Sequence, residues 1–164
     1  MSEVDVRLVG GNDWQLWAEI RLRALRDSPT AFGSTYDREA GFTEADWRGR
    51  LGGEGPAVLA LHEGSAVGMA AGYSDLPGWL HVVAMWVDPA WRGQGLGRRL
   101  LDAVVLWAGE RGLRCHLDVT LGNDAARRLY ERYGFVATGE TEPLRAGSPH
   151  RIERMRLLRD MSDH

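Results

Sequence analysis

"VDPAWRGQGLGRRLL", residues 87–101, places glycine at 93, 95 and 97, and the next glycine comes only at 109. The stretch before it, "WLHVVAMWV" (79–87), is apolar on both faces and reads as a mid-sheet strand covered on both sides. After it, Leu96, Leu100, Leu101, Val104, Trp107 and Ala108 recur at helical spacing, with Arg98, Arg99, Asp102 and Glu110 on the other face. The unit is therefore strand, glycine loop, helix from about 95 to 110, with Gly112 as its left-handed stop. Bare backbone costs chain entropy, so something should approach the main chain there. The first N–H groups of a helix lack internal partners and carry the positive end of its dipole. A phosphate or pyrophosphate is the natural ligand. A plain turn in a chain with 21 glycines is the bland alternative.

Composition narrows the phosphate ligand. All 20 basic residues are arginine, so the Gly-Lys-Ser/Thr of a P-loop cannot occur and lysine chemistry is excluded. A dinucleotide fingerprint is the more serious rival. Gly93 and Gly95 match its first two glycines, and Asp118 stands at the distance of a ribose contact. Against it, Arg98 occupies the third position, and Asp-Pro-Ala-Trp-Arg separates strand from glycines.

The 164 residues read as one domain, 1–164, with 44% hydrophobic and 26% charged residues. The net charge of −3 argues against nucleic acid as a partner. No apolar run is long enough to span a membrane, and "MSEVDVRLVGGNDWQ" has no signal-peptide pattern. A single cysteine, Cys115, within an apolar strand, fits a reducing cytoplasm and reads as a buried small residue. His62, His150 and His164 show no metal-ligand spacing, and no metal is expected.

Elsewhere, "VDVRLV" (4–9) alternates as a strand, and Asn12 and Asp13 are cap candidates for a helix ending at Ser28-Pro29. After the loop-like "PTAFGST", Thr43 caps "EADWRGRL". "PAVLALHEGSAVGMAAGY" reads as a hairpin turning at Glu63-Gly64. "LRCHLDVT" is a strand, Asn123 caps "DAARRLYERY" and Gly134 ends it. "FVATGE" and "RIERMRLLRD" close the chain as strands, the second with a charged face that Glu153 and Asp160 dilute. The order β-α-α-β-β-β-α-β-α-β-β predicts a mixed α/β sheet.

"VDPAWRGQGLGRRLL" resembles motif A of the GNAT superfamily of N-acetyltransferases, whose Gln/Arg-x-x-Gly-x-Gly/Ala pattern is met by Arg92, Gly95 and Gly97. "LDVTLGNDAARRLYERYGF" is similar to the family's strand–Asn–helix segment, and "RLRALRDSPTAFGSTYDRE" looks like the start of many small-molecule members. The resemblance covers 80–136 closely. It implies a mostly antiparallel mixed sheet flanked by helices, with strands four and five splayed around acetyl-CoA as cosubstrate. The main chain of Met85, Trp86 and Val87 would pair with the pantetheine. The N–H groups of Gln94, Gly95, Leu96, Gly97 and Arg98, entered through Gly93, would hold the pyrophosphate, and Arg92 would add a charge-assisted contact. Asn123 would touch the cofactor arm, cap its helix, or both.

Acetyl transfer from a thioester to an amine needs a proton donor for the departing thiolate. Tyr130 is the acid carried over from the family. It lies on the face of Asn123, seven residues on, and its phenol stays protonated at neutral pH. Tyr133, turned away by roughly 60°, reads as packing. Glu39, Asp75, His81 and Asp118 remain candidates for the base, and none is assigned. His81, on a central strand, reads as a satisfied core histidine. His116 and Asp118 share a strand face. Trp14, Trp17, Tyr36 and Trp47 with neighbouring carboxylates read mainly as core and solvated faces. The segment 28–39 is expected, by resemblance alone, to line the pocket of a small-molecule amine or peptide N-terminus. No membrane partner is expected, and a homodimer is among the forms the resemblance implies.

Overall fold

The computed structural model describes residues 3–158; His164 and the last two residues of the expected final strand, Arg159 and Asp160, lie outside the described residues. The chain runs β1 (Asp5–Leu8), α1 (Trp14–Asp27), α2 (Tyr36–Ala40), α3 (Glu44–Leu51), β2 (Ala57–His62), β3 (Ser65–Leu76) and β4 (Trp79–Val87). It continues through α4 (Leu96–Gly109), β5 (Arg114–Thr120), α5 (Asp124–Tyr133), β6 (Phe135–Pro143) and β7 (Arg151–Leu157). The strands form one sheet in the order β1-β2-β3-β4-β5-β7-β6, antiparallel except where β4 meets β5. Among the described residues no helix is long and apolar enough to cross a membrane.

Period-two alternation assigns the layers. In β2, Val58 and Ala60 face the cluster built on α4, whereas Ala57, Leu59 and Leu61 face the one built on α1 and α3. The β2–β3 turn has the positive φ at Glu63 and Gly64 that a tight hairpin requires. Thr43 Oγ1 accepts from Asp46 N (3.2 Å) while the Asp46 carboxylate accepts from Thr43 N (2.9 Å), a full capping box for α3. Asn123 Oδ1 accepts from Ala126 N (3.3 Å) to start α5, and Gly134, at φ 122°, stops it.

Three details depart from the sequence reading. Asp13 occupies the cap position of α1 without capping it, because its carboxylate turns back to Gly10 N (3.0 Å). The five-residue α2, capped by Thr35, is too short to leave a periodic signature. Lastly, β4 is not covered on both faces along its whole length: Trp79, His81 and Val83 are only half-buried. Its register against β3 sets Trp86 opposite Met69 but Val83 opposite Ala71, so β4 carries one extra residue there, with Ala84 at φ 60°. Such a bulge reverses the alternation. Leu80 and Val82 therefore pack toward α4, while Trp86 packs toward α1.

Candidate active site

The bulge coincides with a parting of the sheet. β4 pairs with β5 only from Trp79↔Arg114 to Val82↔Leu117. Beyond that, β4 stays with β3, and β5 follows β7 through Asp118↔Arg154 to Thr120↔Ile152. The expected splay of strands four and five is thus present, and a cavity opens on each side of it.

The larger cavity, about 930 Å³, is lined by residues 27–31, Met85 to Val87, the glycine loop, residues 120–123, Ala125 and Ala126, with Leu129, Tyr130, Arg132 and His150. The glycine loop divides its labour. Gly93 and Gly95 have φ of 82° and 81°, which an L side chain resists. Gly97 does not; a Cβ there would stand 3.0 Å from Leu129 Cδ2, so this glycine lets α4 lie against α5. The first helical bond runs from Arg99 N to Gly95 O (3.1 Å), leaving the N–H groups of Gly95 to Arg98 for an outside acceptor. Gln94 is exposed and outside the lining. Three arginines, Arg92, Arg98 and Arg132, line this cavity against one carboxylate, Asp27. That balance suits an anion. Asp27 is held below its usual pKa by Ser28, then by Trp86 and Arg92.

Arg92 is already engaged: its Nε donates to Val87 O (2.8 Å), and its Nη2 lies 3.4 Å from Asp27. Of the expected main-chain edge, Val87 O thus keeps one lone pair for an incoming amide. The Trp86 side chain is buried, its Nε1 donating toward Asp27 and Ser28 (3.3 Å each). Asn123 caps its helix and also lines the cavity.

The smaller cavity, about 470 Å³, lies on the other side of the parting. Trp17, Arg21, Phe32, Arg50, Leu51, residues 53–57, Tyr73, His81, Asp118 and Leu144 contribute to its wall. Of residues 28–39 only Ala31, Phe32 and Gly33 reach it. Glu39 is fully buried between Arg21 (2.9 and 3.0 Å) and Arg50 (3.1 Å) and braces the wall from behind. Burial works against its charge, but hydrogen bonds from Arg21 and Ser34 and the charges of Arg21 and Arg50 bring its pKa from 4.5 to about 2. Trp47 is core, and Tyr36 lies beneath Arg26.

One face of β3, β4, β5 and β7 carries a polar cluster that the sequence reading left scattered. His116 Nε2 lies 2.8 and 2.9 Å from the Asp75 carboxylate oxygens, and Arg154 Nη1 donates to its Nδ1 (3.1 Å). Burial, with Arg154 beside it, lowers the His116 pKa, so its ring is neutral with both nitrogens occupied. Arg154 Nε and Nη2 hold Asp118 (2.7 and 3.3 Å). Burial would raise the Asp118 pKa, yet His81 and Arg154 keep it far below the carboxylate range. His81 belongs to this cluster and lines the smaller cavity; it is not a packed core residue. Asp118 likewise faces the smaller cavity, which removes it as a ribose contact in the larger. Arg154 escaped the sequence reading because only the insertion of β7 beside β5 brings it to Asp118.

Ala31, Met85, Thr120 and Tyr130 line both cavities and form the neck between them. Thr120 Oγ1 donates to Thr30 O (2.6 Å), pinning that neck. Burial raises the Tyr130 phenol to about 12, and no hydrogen bond among the described residues engages its hydroxyl. Tyr133 instead donates to Asp102 Oδ1 (2.7 Å), a packing role as expected. Cys115 is buried in the core. Among the described residues no group of His, Cys, Asp and Glu could hold a metal ion.

Residues 17–135 match the family model described as the acetyltransferase (GNAT) family. The chain is 35% identical over 134 residues to the mycothiol acetyltransferase of Nocardiopsis dassonvillei, covering 78% of this chain and 41% of that protein. It is 42% identical over 86 residues to the N-alpha-acetyltransferase RimI of Mycobacterium tuberculosis, covering 50% and 52%. The chain thus spans about half the length, or less, of these two curated relatives. A GNAT-family acetyltransferase structure from Streptococcus pneumoniae superposes with a TM-score of 0.78 at 21% identity, over 94% of this chain and 98% of the other, which shows a common fold.

Proposed function

The chain belongs to the GNAT acetyltransferase family, and from that premise we propose that it transfers acetyl from acetyl-CoA to a primary amine by direct attack, residues 1–164 forming one such domain. The observation that carries this reading is the neck: Tyr130 stands where an anion-binding cavity and a second, polar-walled cavity meet.

On this reading the larger cavity takes the cosubstrate. The N–H groups from Gly95 to Arg98 receive the pyrophosphate, with Arg92, Arg98 and Arg132 supplying charge. The main chain of Met85 to Val87, released from β5, offers an edge to the pantetheine amides, and Asn123 borders the arm. The acceptor amine enters from the smaller cavity. Attack on the thioester carbonyl expels a thiolate, and the buried Tyr130 phenol, protonated throughout the physiological range, is the donor for that sulfur. No acyl-enzyme is involved.

A small-molecule amine or a peptide N-terminus is the acceptor class, in keeping with relatives named for mycothiol and N-alpha acetylation. A cytoplasmic location and a homodimer belong to the same reading. The test is calorimetric titration with acetyl-CoA and, in parallel, NAD, followed by an amine and peptide panel read by mass spectrometry. One-to-one acetyl-CoA binding, no NAD response and acetylation of at least one acceptor are expected. Folded protein that ignores acetyl-CoA would sink the proposal, and binding without transfer to any acceptor would reduce it to a CoA-binding module.

A further inference from the structure

The acid at the neck accounts for one proton; the amine must also lose its own before it can attack. The smaller cavity holds a histidine arranged to receive it. His81 Nε2 lies 3.3 Å from Asp118 Oδ2, and a carboxylate can only accept, so the hydrogen of the neutral ring sits on Nε2. The lone pair is therefore on Nδ1, which accepts from the Tyr73 hydroxyl at 3.2 Å. The other groups facing this ring are themselves engaged or close by. Asp118 is clamped by Arg154, His116 is neutral between Asp75 and Arg154, and the Asp75 carboxylate stands 3.7 Å from His81 Nδ1.

We propose that His81 is the general base: its Nδ1 takes the proton of the acceptor ammonium, with Asp118 orienting the ring. This inference rests on the acetyl-transfer reading above. In the step, one N–H bond of the ammonium breaks and an N–H bond forms at Nδ1, giving an imidazolium between Asp118 and Asp75. The freed amine lone pair then forms the C–N bond as the C–S bond breaks. The thiolate takes the Tyr130 proton, and the phenolate recovers one from the new amide nitrogen. The imidazolium passes its proton outward past Tyr73, a half-exposed residue at the cavity rim, so one proton leaves to water per turnover.

The experiment is a pH profile of kcat/KM for wild type, His81→Gln and Tyr73→Phe with an amine accepted in the panel, alongside acetyl-CoA titration of each. Glutamine can keep hydrogen bonds to Asp118 and Tyr73 but cannot take up a proton. His81→Gln is expected to bind acetyl-CoA like the wild type and to lose about 10²–10⁴-fold in kcat/KM at neutral pH. That deficit should close as pH approaches the acceptor's own pKa, a signature that a structural role would not produce. Tyr73→Phe removes the hydroxyl that donates to Nδ1 and should move the pH limb without abolishing it, because the base itself remains. If His81→Gln proves misfolded, His81→Ala with added imidazole replaces it, and rescue by imidazole is expected. Full activity in His81→Gln, a deficit independent of pH, or failure of imidazole to rescue would each overturn the assignment while leaving the transferase standing. A wild type that acetylates nothing would remove both.

Discussion

The two cavities share Tyr130 but are made of different material. The larger is walled by residues from three segments, within 27–31, 85–98 and 120–132, with His150, and its glycine loop offers main-chain N–H groups. The smaller is walled by residues drawn from α1, α3, α5, two loops, five strands and the Leu144 turn, and its polar groups are mostly side chains. Main-chain recognition depends on local conformation, so glycines in one contiguous motif are enough to build it. Side-chain recognition depends on which strands lie side by side. The first kind of site resists side-chain substitution and is sensitive at its glycines; the second should behave the opposite way.

Tyr130→Phe is the sharpest probe, since this residue belongs to both sides. Turnover should fall by about 10²–10⁴-fold with acetyl-CoA affinity near wild type, measured by steady-state kinetics and calorimetry. An unchanged kcat would break the idea that the neck is the reacting centre. Next comes the brace behind the smaller cavity. Glu39→Gln leaves Arg21 buried without its counter-charge and should cost about 3 kcal/mol of stability. It should also raise the acceptor KM more than the acetyl-CoA Kd. The pH dependence follows from the same carboxyl. Its folded pKa, about 2, lies below the unfolded 4.5, so its contribution is complete above pH 4.5 and is lost as pH falls from there toward 2. Thermal melts over that window should show the loss in the wild type and a weaker one in the variant.

A smaller effect is expected in the larger cavity, where the comparison predicts backbone sensitivity. Gly95→Ala forces a side chain to φ 81° at a cost of about 1–2 kcal/mol. The loss should appear as weaker acetyl-CoA binding with little change in acceptor KM once the cosubstrate saturates. Gly97→Ala is a useful contrast, because its cost is contact with Leu129 and Leu129→Ala should relieve it. The smallest effect is reserved for Arg92→Gln. This half-exposed side chain is shared with Val87 O and Asp27, and its removal should weaken acetyl-CoA binding only severalfold, less so at high salt. A loss as large as that of Gly95→Ala would mean that charge, not backbone shape, governs this half.

Much of this architecture is legible in the amino-acid order. The Glu63-Gly64 turn, the Thr43 and Asn123 caps, the Gly134 stop and the glycine loop are each written within four or five neighbouring residues. Of the residues bordering the larger cavity, Met85 to Val87, most of the glycine loop, Asn123 and Tyr130 were legible for the same reason, whereas Ser28 to Ala31 were expected at the acceptor pocket and Asp27, Arg132 and His150 were not singled out. The smaller cavity was not. His81 sits on a strand that reads as fully buried, and no glycine or proline marks the bulge at Ala84 that opens one of its faces. Glu39 reads as an exposed helical carboxylate until Arg21, eighteen positions earlier, is seen to hold it.

By itself, then, the sequence determined the elements, their order, the glycine loop and the place of Tyr130 on the face of Asn123, because each depends on interactions between near neighbours. Only the tertiary structure decided which side chains share a cavity. Setting β7 between β5 and β6 carries Arg154 to Asp118, and the extra residue in β4 reverses the faces beyond it, so the polar cluster around His81 exists only once distant strands have been paired in register.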